Sequence, residues 1–418
     1  MSSKHLSGMS GRTKLLIAAV CTMFSFQAFA ADNIADMFQE TSVEGKLLYR
    51  FNDLKMENST DASDSGIGGI LAAKTGSLHG VSLGVTFGTA NNAYSDKDDF
   101  SYGVLGDGHQ SFDSMKEYYV QGELFDTTVK YGAQQISTPW VNDDIYPFML
   151  PITYRGASLV NKSISNTELH AYYITGISMW NESGFKDIME TANPTADSEP
   201  LLIGGIKYNL PSENLKFSAE GWTYHMENFI NNNYVRTTIG TKLGEWNVYV
   251  TPSYLKQSST GDEVGGDFDT YQYGGVAGVD AYGFNASLYY AKTGDDKIFR
   301  GWGHSAAVPA QFLVSERAEE KAMMAYAGYE FSKLGMPGVY AAVTYATFDT
   351  PDSGVNKASD ASEVDWNLMY DFNDAVLKGA LNGLHLEVRY AQIDYEDDPD
   401  MTELHVIASY SFAFGGKK

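Results

Sequence analysis

Along most of its length the chain alternates apolar and polar residues with a period of two. That period belongs to β-strands whose two faces meet different surroundings; a helix would repeat near 3.6. The C-terminal end shows it most clearly. Leu404, Val406, Ala408, Tyr410, Phe412 and Phe414 alternate with Glu403, His405, Ile407, Ser409, Ser411 and Ala413. Leu384, Leu386, Val388 and Tyr390 alternate with His385, Glu387 and Arg389. Val364 to Phe372, Tyr282 to Tyr290 and Val81 to Phe87 follow the same rule.

A soluble sandwich would turn the polar face of such strands to water and the apolar face to a core. Two features favour a barrel with its apolar face in lipid instead. The segments run about 9 to 13 residues, the length a tilted strand needs to cross a bilayer, where soluble strands average five or six. Aromatic residues close the segments (Tyr49 and Phe51, Phe372, Tyr390, Phe412 and Phe414), as girdles at the two interfaces require. The composition agrees, with 28 Tyr, 22 Phe and 41 Gly but only 11 Pro. After residue 30 no apolar run is long enough for a membrane-spanning helix.

The connections are of two kinds. Short turns are expected at Phe125 to Thr127, Ser165-Asn166, Pro211 to Asn214, Leu243 to Glu245 and Ser332 to Pro337. Long loops are expected at Asn52 to Gly66, Ala90 to Ser114, Ser137 to Tyr154, Asn181 to Glu199, Lys256 to Phe268, Gly294 to Arg317 and Asp349 to Ser362. Short turns on one rim and long loops on the other is the outer-membrane pattern. The fold class expected is all-β: one transmembrane antiparallel β-barrel of about eighteen strands, uncertain by about two. No helical period of useful length and no linker appears, so residues 31–418 read as a single domain.

The first thirty residues read as a leader. Lys4, Arg12 and Lys14 precede an apolar stretch from Leu15 to Phe26, and Ala28-Phe29-Ala30 is a cleavage pattern. Cys21, the one cysteine, lies inside that stretch, and Val20 before it does not suit a lipoprotein signal. Cleavage after Ala30 leaves a chain without cysteine, which excludes disulfides, Cys-ligated zinc, iron–sulfur clusters and haem attached through cysteine. It also leaves 26 basic against 53 acidic residues, a net charge of −27. Such an excess argues against a nucleic-acid partner, whose phosphates need a basic face.

Three stretches resemble the OprD-type outer-membrane porins. Glu319 to Asp349, EEKAMMAYAGYEFSKLGMPGVYAAVTYATFD, holds a strand ending in Tyr-x-Phe, a tight Leu-Gly-x-Pro-Gly turn and a returning strand. Lys130 to Ile164 is similar to the family's strand, inward-folded third loop and following strand. In Leu377 to Phe414, Lys378-Gly379 and Gly383-Leu384 open a penultimate hairpin. The resemblance implies an eighteen-stranded barrel in the outer membrane, an inward-folded third loop that narrows the lumen, and passive uptake of small polar solutes, often carboxylates guided by lumenal basic residues. Two features depart from it. Phe414 is followed by Gly415-Gly416-Lys417-Lys418 where such barrels end on an aromatic residue, and only six arginines follow residue 30.

Selectivity in a barrel lives on inward side chains and on any loop folded inside. In the third loop, Asp143 and Asp144, followed by Tyr146, are the candidate constriction, with Arg155 at the loop exit as the candidate basic partner. Carboxylates in a narrow, low-dielectric site attract cations; the plainer reading is a pair of solvated loop acids. On the strands, the phase of the alternation turns Lys46, Arg50, Lys130, Arg236, His385, Glu387 and Arg389 inward. Two arrangements stay open for them: a basic ladder, or scattered charges each paired with a carboxylate. The acidic runs Asp96/Asp98/Asp99, Asp262/Glu263/Asp267 and Asp397/Asp398/Asp400 read as solvated loops or a mouth that enriches cations and bridges lipopolysaccharide through divalent ions. None has the spacing of a calcium loop, and no metal site or cofactor is expected.

Gly301-Trp302-Gly303-His304-Ser305 is not a G-x-S-x-G nucleophile elbow, and a neighbouring His and Ser do not make a triad; the stretch reads as part of a long loop, extracellular or folded inward. The function expected is therefore a porin, not an enzyme, for passive diffusion of small hydrophilic solutes, with amino acids and small carboxylates as candidates and a lean towards cations. Its expected partners are outer-membrane lipid, lipopolysaccharide and small polar solutes, with monomer and homotrimer both open. The rival readings are an occluded structural or adhesive barrel and a barrel-embedded hydrolase.

Overall fold

The alternating segments pair into one antiparallel sheet that closes on itself in the computed structural model, which describes residues 30–96, 98–143, 148–212, 214–303, 306–372, 379 and 381–415. Among the described residues eighteen strands form the wall. The first half comprises β1 (Ser42–Met56), β2 (Ala62–Lys74), β3 (Val81–Asn92), β4 (Phe112–Leu124), β5 (Thr127–Gln134), β6 (Thr153–Asn161), β7 (Thr167–Ser178), β8 (Leu201–Asn209) and β9 (Leu215–Met226). The second half comprises β10 (Ile230–Leu243), β11 (Trp246–Ser259), β12 (Asp269–Ala281), β13 (Phe284–Thr293), β14 (Lys321–Glu330), β15 (Val339–Asp349), β16 (Ala361–Asp371), β17 (Leu384–Tyr395) and β18 (Met401–Gly415). Each strand pairs with its sequence neighbours, and β18 returns to β1 from Ser42↔Gly415 to Met56↔Met401. Closure leaves no unpaired edge, the condition for spanning hydrocarbon with strands.

The period of two sorts the side chains. Leu47, Val85, Phe87, Val250, Leu288, Val343, Leu368 and Val388 stand exposed on the outer face, a belt no soluble protein would show to water. Their sequence neighbours point to the lumen. Leu288, in mid-strand and two-thirds exposed, tests the belt. Leu288→Arg is expected to lower the stability of the barrel refolded into vesicles by about 2–4 kcal/mol, the cost of a cation facing mid-bilayer. A denaturant titration that finds the variant as stable as the parent would place Leu288 away from the hydrocarbon.

The turns explain their own tightness. β4 and β5 are joined by Phe125 and Asp126 alone, both with positive φ (46° and 56°), as a two-residue hairpin turn requires. In the Leu334 to Gly338 turn, Gly335 and Gly338 take φ of 82° and 87°, a region that L side chains disfavour. All such turns lie on the rim that carries the strand ends Ser42 and Gly415. On the same rim Ala30–Ala31 pairs with Ser77–Leu78 between β2 and β3, and a six-residue helix, Ile34–Gln39, is capped by Asn33.

On the opposite rim the first connection differs from expectation. Instead of a long loop from Asn52 to Gly66, β1 continues to Met56 and β2 starts at Ala62. Polar residues such as Asn52, Asp64 and Ser65 sit within paired strand, because the ladder supplies their backbone bonds whatever the side chains are. Of the leader only Ala30 is among the described residues, as only Gly415 is of the C-terminal Gly-Gly-Lys-Lys.

Four long connections, numbered along that rim, carry buried apolar residues into the barrel: L2 (93–111), L3 (135–152), L4 (179–200) and L7 (294–320). L2 and L3 send Val104, Leu105, Met149 and Leu150 against Leu48, Ile70 and Ala90 of the inner wall. Gly66 and Gly88 make room for them; a Cβ on Gly66 would lie 2.9 Å from Val104 Cγ1, and one on Gly88 2.6 Å from a Leu150 methyl. L3, L4 and L7 build a larger cluster with the inner faces of β6 to β11, and a second part of L7 packs Val308 and Leu313 on Ala291, Met324 and Phe348. The third loop is inward, as expected, and L7, whose Trp302 stretch reads as an extracellular or an inward-folded loop, is inward too; that L2 and L4 join them was not expected.

Candidate functional site: the lumen narrowed by inward loops

Three sets of contacts fix these loops. The first holds L2. Asp64, fully buried on β2, accepts at Oδ2 from Ser101 Oγ (3.0 Å) and from the backbone N–H groups of Gly103 (2.8 Å), Val104 (3.0 Å) and Leu105 (3.4 Å). Its Oδ1 lies 2.7 Å from His109 Nδ1, and His109 Nε2 lies 3.1 Å from the Asp99 carbonyl. Burial alone would lower the His109 pKa. The Asp64 bond, the Asp99 carbonyl and the charges of both acids outweigh it and hold the pKa above its ordinary value.

The second set ties L3, L4 and L7 together. Asn142 N donates to the Trp302 carbonyl (3.2 Å). Tyr154 Oη lies within bonding distance of that carbonyl (2.5 Å) and of the Asn142 carbonyl (2.8 Å). Trp302 Nε1 donates to Thr191 Oγ1 of L4 (2.9 Å). Gly303, at φ 73°, lies so close that a Cβ would sit 2.5 Å from Asn142 Oδ1.

The third set brings the tip of L7 to the wall. Phe312 N and Leu313 N each donate to a different oxygen of Glu363 at 2.7 Å, and Gln311 N donates to Asp365 (3.2 Å). The Gln311 side chain donates to Glu403 (2.9 Å) and accepts from Arg389 Nε (3.3 Å). Further along L7, Arg300 and Glu316 form a half-exposed pair at 2.5 Å. Burial lowers the Arg300 pKa and raises that of Glu316, each partly offset by its partner.

The residues singled out by sequence fall as follows. Lys46 lies near Arg50 and Glu387. Arg50 is only 4% exposed, so it is shielded from a passing solute. Lys130 sits 4.6 Å above the Tyr119 ring, near Glu117 and Glu123. Arg236 Nε donates to Glu220 at 2.7 Å. His385 is 2.7 Å from Asp371 and 3.4 Å from Glu387, and Arg389 Nε is 4.0 Å from Glu387. These charges are interleaved with carboxylates instead of forming an unbroken column of one sign.

Asp143 follows Asn142 at the junction of L3 and L7 and is half-buried. Asp144 and Tyr146 lie outside the described residues. Arg155 corrects an expectation. Tyr154 points inward, so Arg155, the next residue, points outward; it is exposed, with its guanidinium 5.8 Å from the Phe185 ring. It therefore does not face Asp143. Asp64, Tyr102, Trp302, Gln311, Glu363 and Glu403 escaped the sequence reading. Glu403 carried a weak signal, sitting on the inner phase of the clearest strand.

A closed barrel of eighteen strands with an apolar outer belt and a charged lumen narrowed by inward loops defines a porin-type channel. The chain belongs to the OprD family of outer-membrane porins: the family model, "outer membrane porin, OprD family", matches residues 81–414. Solved structures share the fold. A BenF-like porin from Pseudomonas fluorescens Pf-5 has a TM-score of 0.82 at 17% identity, covering 90% of this chain and 100% of its own. Pseudomonas aeruginosa OpdK, determined with vanillate, gives 0.80 at 17% with the same coverage, and P. aeruginosa OccK9 (OpdG) gives 0.79 at 21%, covering 90% and 98%. No curated protein sequence matches the chain. The protein is an outer-membrane porin.

Proposed function

We propose that the channel passes small hydrophilic solutes carrying a carboxylate, amino acids among them, with a lean towards cations. We also infer that the chain reaches the membrane after cleavage of its leader at Ala30. The observation that carries the solute reading is the interleaving of both charge signs around one lumen, with Arg236 beside Glu220, His385 between Asp371 and Glu387, and Lys130 near Glu117. A zwitterion meets a partner for each of its ends there. The vanillate in the OpdK structure is itself a carboxylate, which supports this class of solute. The overall charge of −24 and the half-buried Asp143 favour cations at the narrowing.

The test is planar-bilayer recording with a salt gradient across the membrane. Discrete steps and a reversal potential on the cation side are expected, and Asp143→Asn is expected to move that potential towards zero. A folded barrel that gives no steps would sink the open-channel reading. An unchanged reversal potential in Asp143→Asn would remove Asp143 from the ion path and leave the channel itself standing.

A further inference from the structure

We propose that Glu403 is a positioning residue that sets the aperture: one carboxylate ties the tips of L2 and L7 to the barrel wall, so that the two loops open and close together. The inference deepens the porin reading and rests on the chain conducting, independently of which solute it prefers.

Glu403 lies on the inner face of β18 and is 1% exposed. Its two oxygens are divided between the loops. Oε1 accepts from the Tyr102 hydroxyl of L2, and Oε2 accepts from Gln311 Nε2 of L7 at 2.9 Å. His405, two residues along the same strand, places Nε2 3.4 Å from Oε1 and 3.2 Å from Tyr102 Oη, with the Tyr102 and His405 rings edge-on at 5.6 Å. A buried carboxylate without partners is costly, whereas one that accepts two hydrogen bonds beside an imidazole is compensated. Removing L7 would take the donor from Oε2, and removing L2 would leave Oε1 to His405 alone.

Each loop also has an anchor of its own. L2 is rooted on Asp64, just before and after Tyr102. L7 is rooted on Glu363 and Asp365, at Gln311 itself and the two residues after it. These private anchors hold each loop near the wall, and among the described residues Glu403 takes a side-chain bond from both. Near the latch on β1 and β18, Arg50, Asn52 and His405 are all at most 4% exposed. Release of the two tips would widen the lumen and bring these groups to the solute path.

The experiment is single-channel recording on the full-length barrel. Folding is checked by resistance to denaturant, and protease is added from the long-loop side of vesicles as a second readout. Tyr102→Phe removes the L2 arm, with its contact to His405, and Gln311→Ala the L7 arm, with its bond from Arg389. Each is expected to raise the time spent in larger-conductance substates on the order of tenfold, as the loss of a hydrogen bond to a charged group implies. In a Glu403→Ala background each is expected to change the conductance and the cleavage of L2 and L7 by much less than in the parent, the remainder coming from the His405 and Arg389 contacts. Additive effects in that background would overturn the shared latch, as would a Glu403→Ala channel indistinguishable from the parent in both readouts. If Glu403→Ala does not fold, Glu403→Leu serves the same cycle: it fills the space and accepts from neither arm, so both substitutions should lose most of their effect. Failure of both to do so overturns the proposal. A folded parent that gives no steps speaks against conduction, while the protease cycle still decides the latch.

Discussion

Trp302→Ala should enlarge the channel more than any substitution in the barrel wall. Trp302 is the largest fully buried side chain and sits where three loops meet. Its ring packs edge-on against Phe299 at 5.0 Å and Phe229 at 6.0 Å, its Nε1 holds L4 through Thr191, and its carbonyl receives Asn142 of L3. Truncating a buried Trp costs about 3–5 kcal/mol in a closed core. Here the lost contacts are those that hold three inward loops together, so the loops are expected to part. The wall ladder is untouched, and the barrel should refold with nearly its parent stability. Single-channel recording should then show larger and noisier steps. Trp302→Phe keeps most of the ring contact and loses one hydrogen bond, about 0.5–1.5 kcal/mol, so it should fall between. A folded Trp302→Ala barrel with parent conductance would mean that this junction does not limit the path.

The reason such residues were invisible in the sequence while the barrel was not lies in the range of the forces. A strand that faces lipid on one side and a lumen on the other must alternate, and its partner is its neighbour in the chain, so Leu384 to Tyr390 betrays both the strand and its orientation. Lys46, Arg236 and Glu387 take their lumenal phase from the same rule. The rule has sharp edges. At Arg155, one residue after the loop, the outcome depends on where the strand resumes, and Tyr154 takes the inward position. The first loop is shorter than its polar sequence predicts, because the ladder accommodates polar residues in paired strand. The contacts that narrow the lumen obey no period: Tyr102 reaches Glu403 across 301 residues and Asn142 meets Trp302 across 160 (302 − 142). Nothing local marks Asp64 as the residue that gathers the backbone of L2.

Asp64→Ala should free L2, and the pH should reveal why. Asp64 gathers three backbone N–H groups, a hydroxyl and the His109 imidazole around one buried carboxylate. Its removal strands the amides and leaves His109 without its counter-ion, and breaking a buried pair in this way costs about 3–5 kcal/mol, against about 0–1 for an exposed one. L2 should then leave the wall, exposing Val104 and Leu105 and withdrawing Tyr102 from Glu403. In the parent, the doubly protonated His109 donates from Nδ1 to Asp64 and from Nε2 to the Asp99 carbonyl. The neutral ring carries one N–H for two acceptors, so the folded loop favours the cation and its pKa is raised. A raised pKa contributes stability that is complete below the unfolded value, about 6.5, and is lost as pH rises through the higher folded value. L2 should therefore loosen on the alkaline side. Current noise and protease cleavage between residues 98 and 111 should both rise with pH in the parent. In His109→Ala both should be high and flat across that range, and Asp64→Ala should match or exceed the parent's alkaline limit. Loosening on the acid side, or a parent whose noise and cleavage do not change with pH, would show that His109 does not hold the loop.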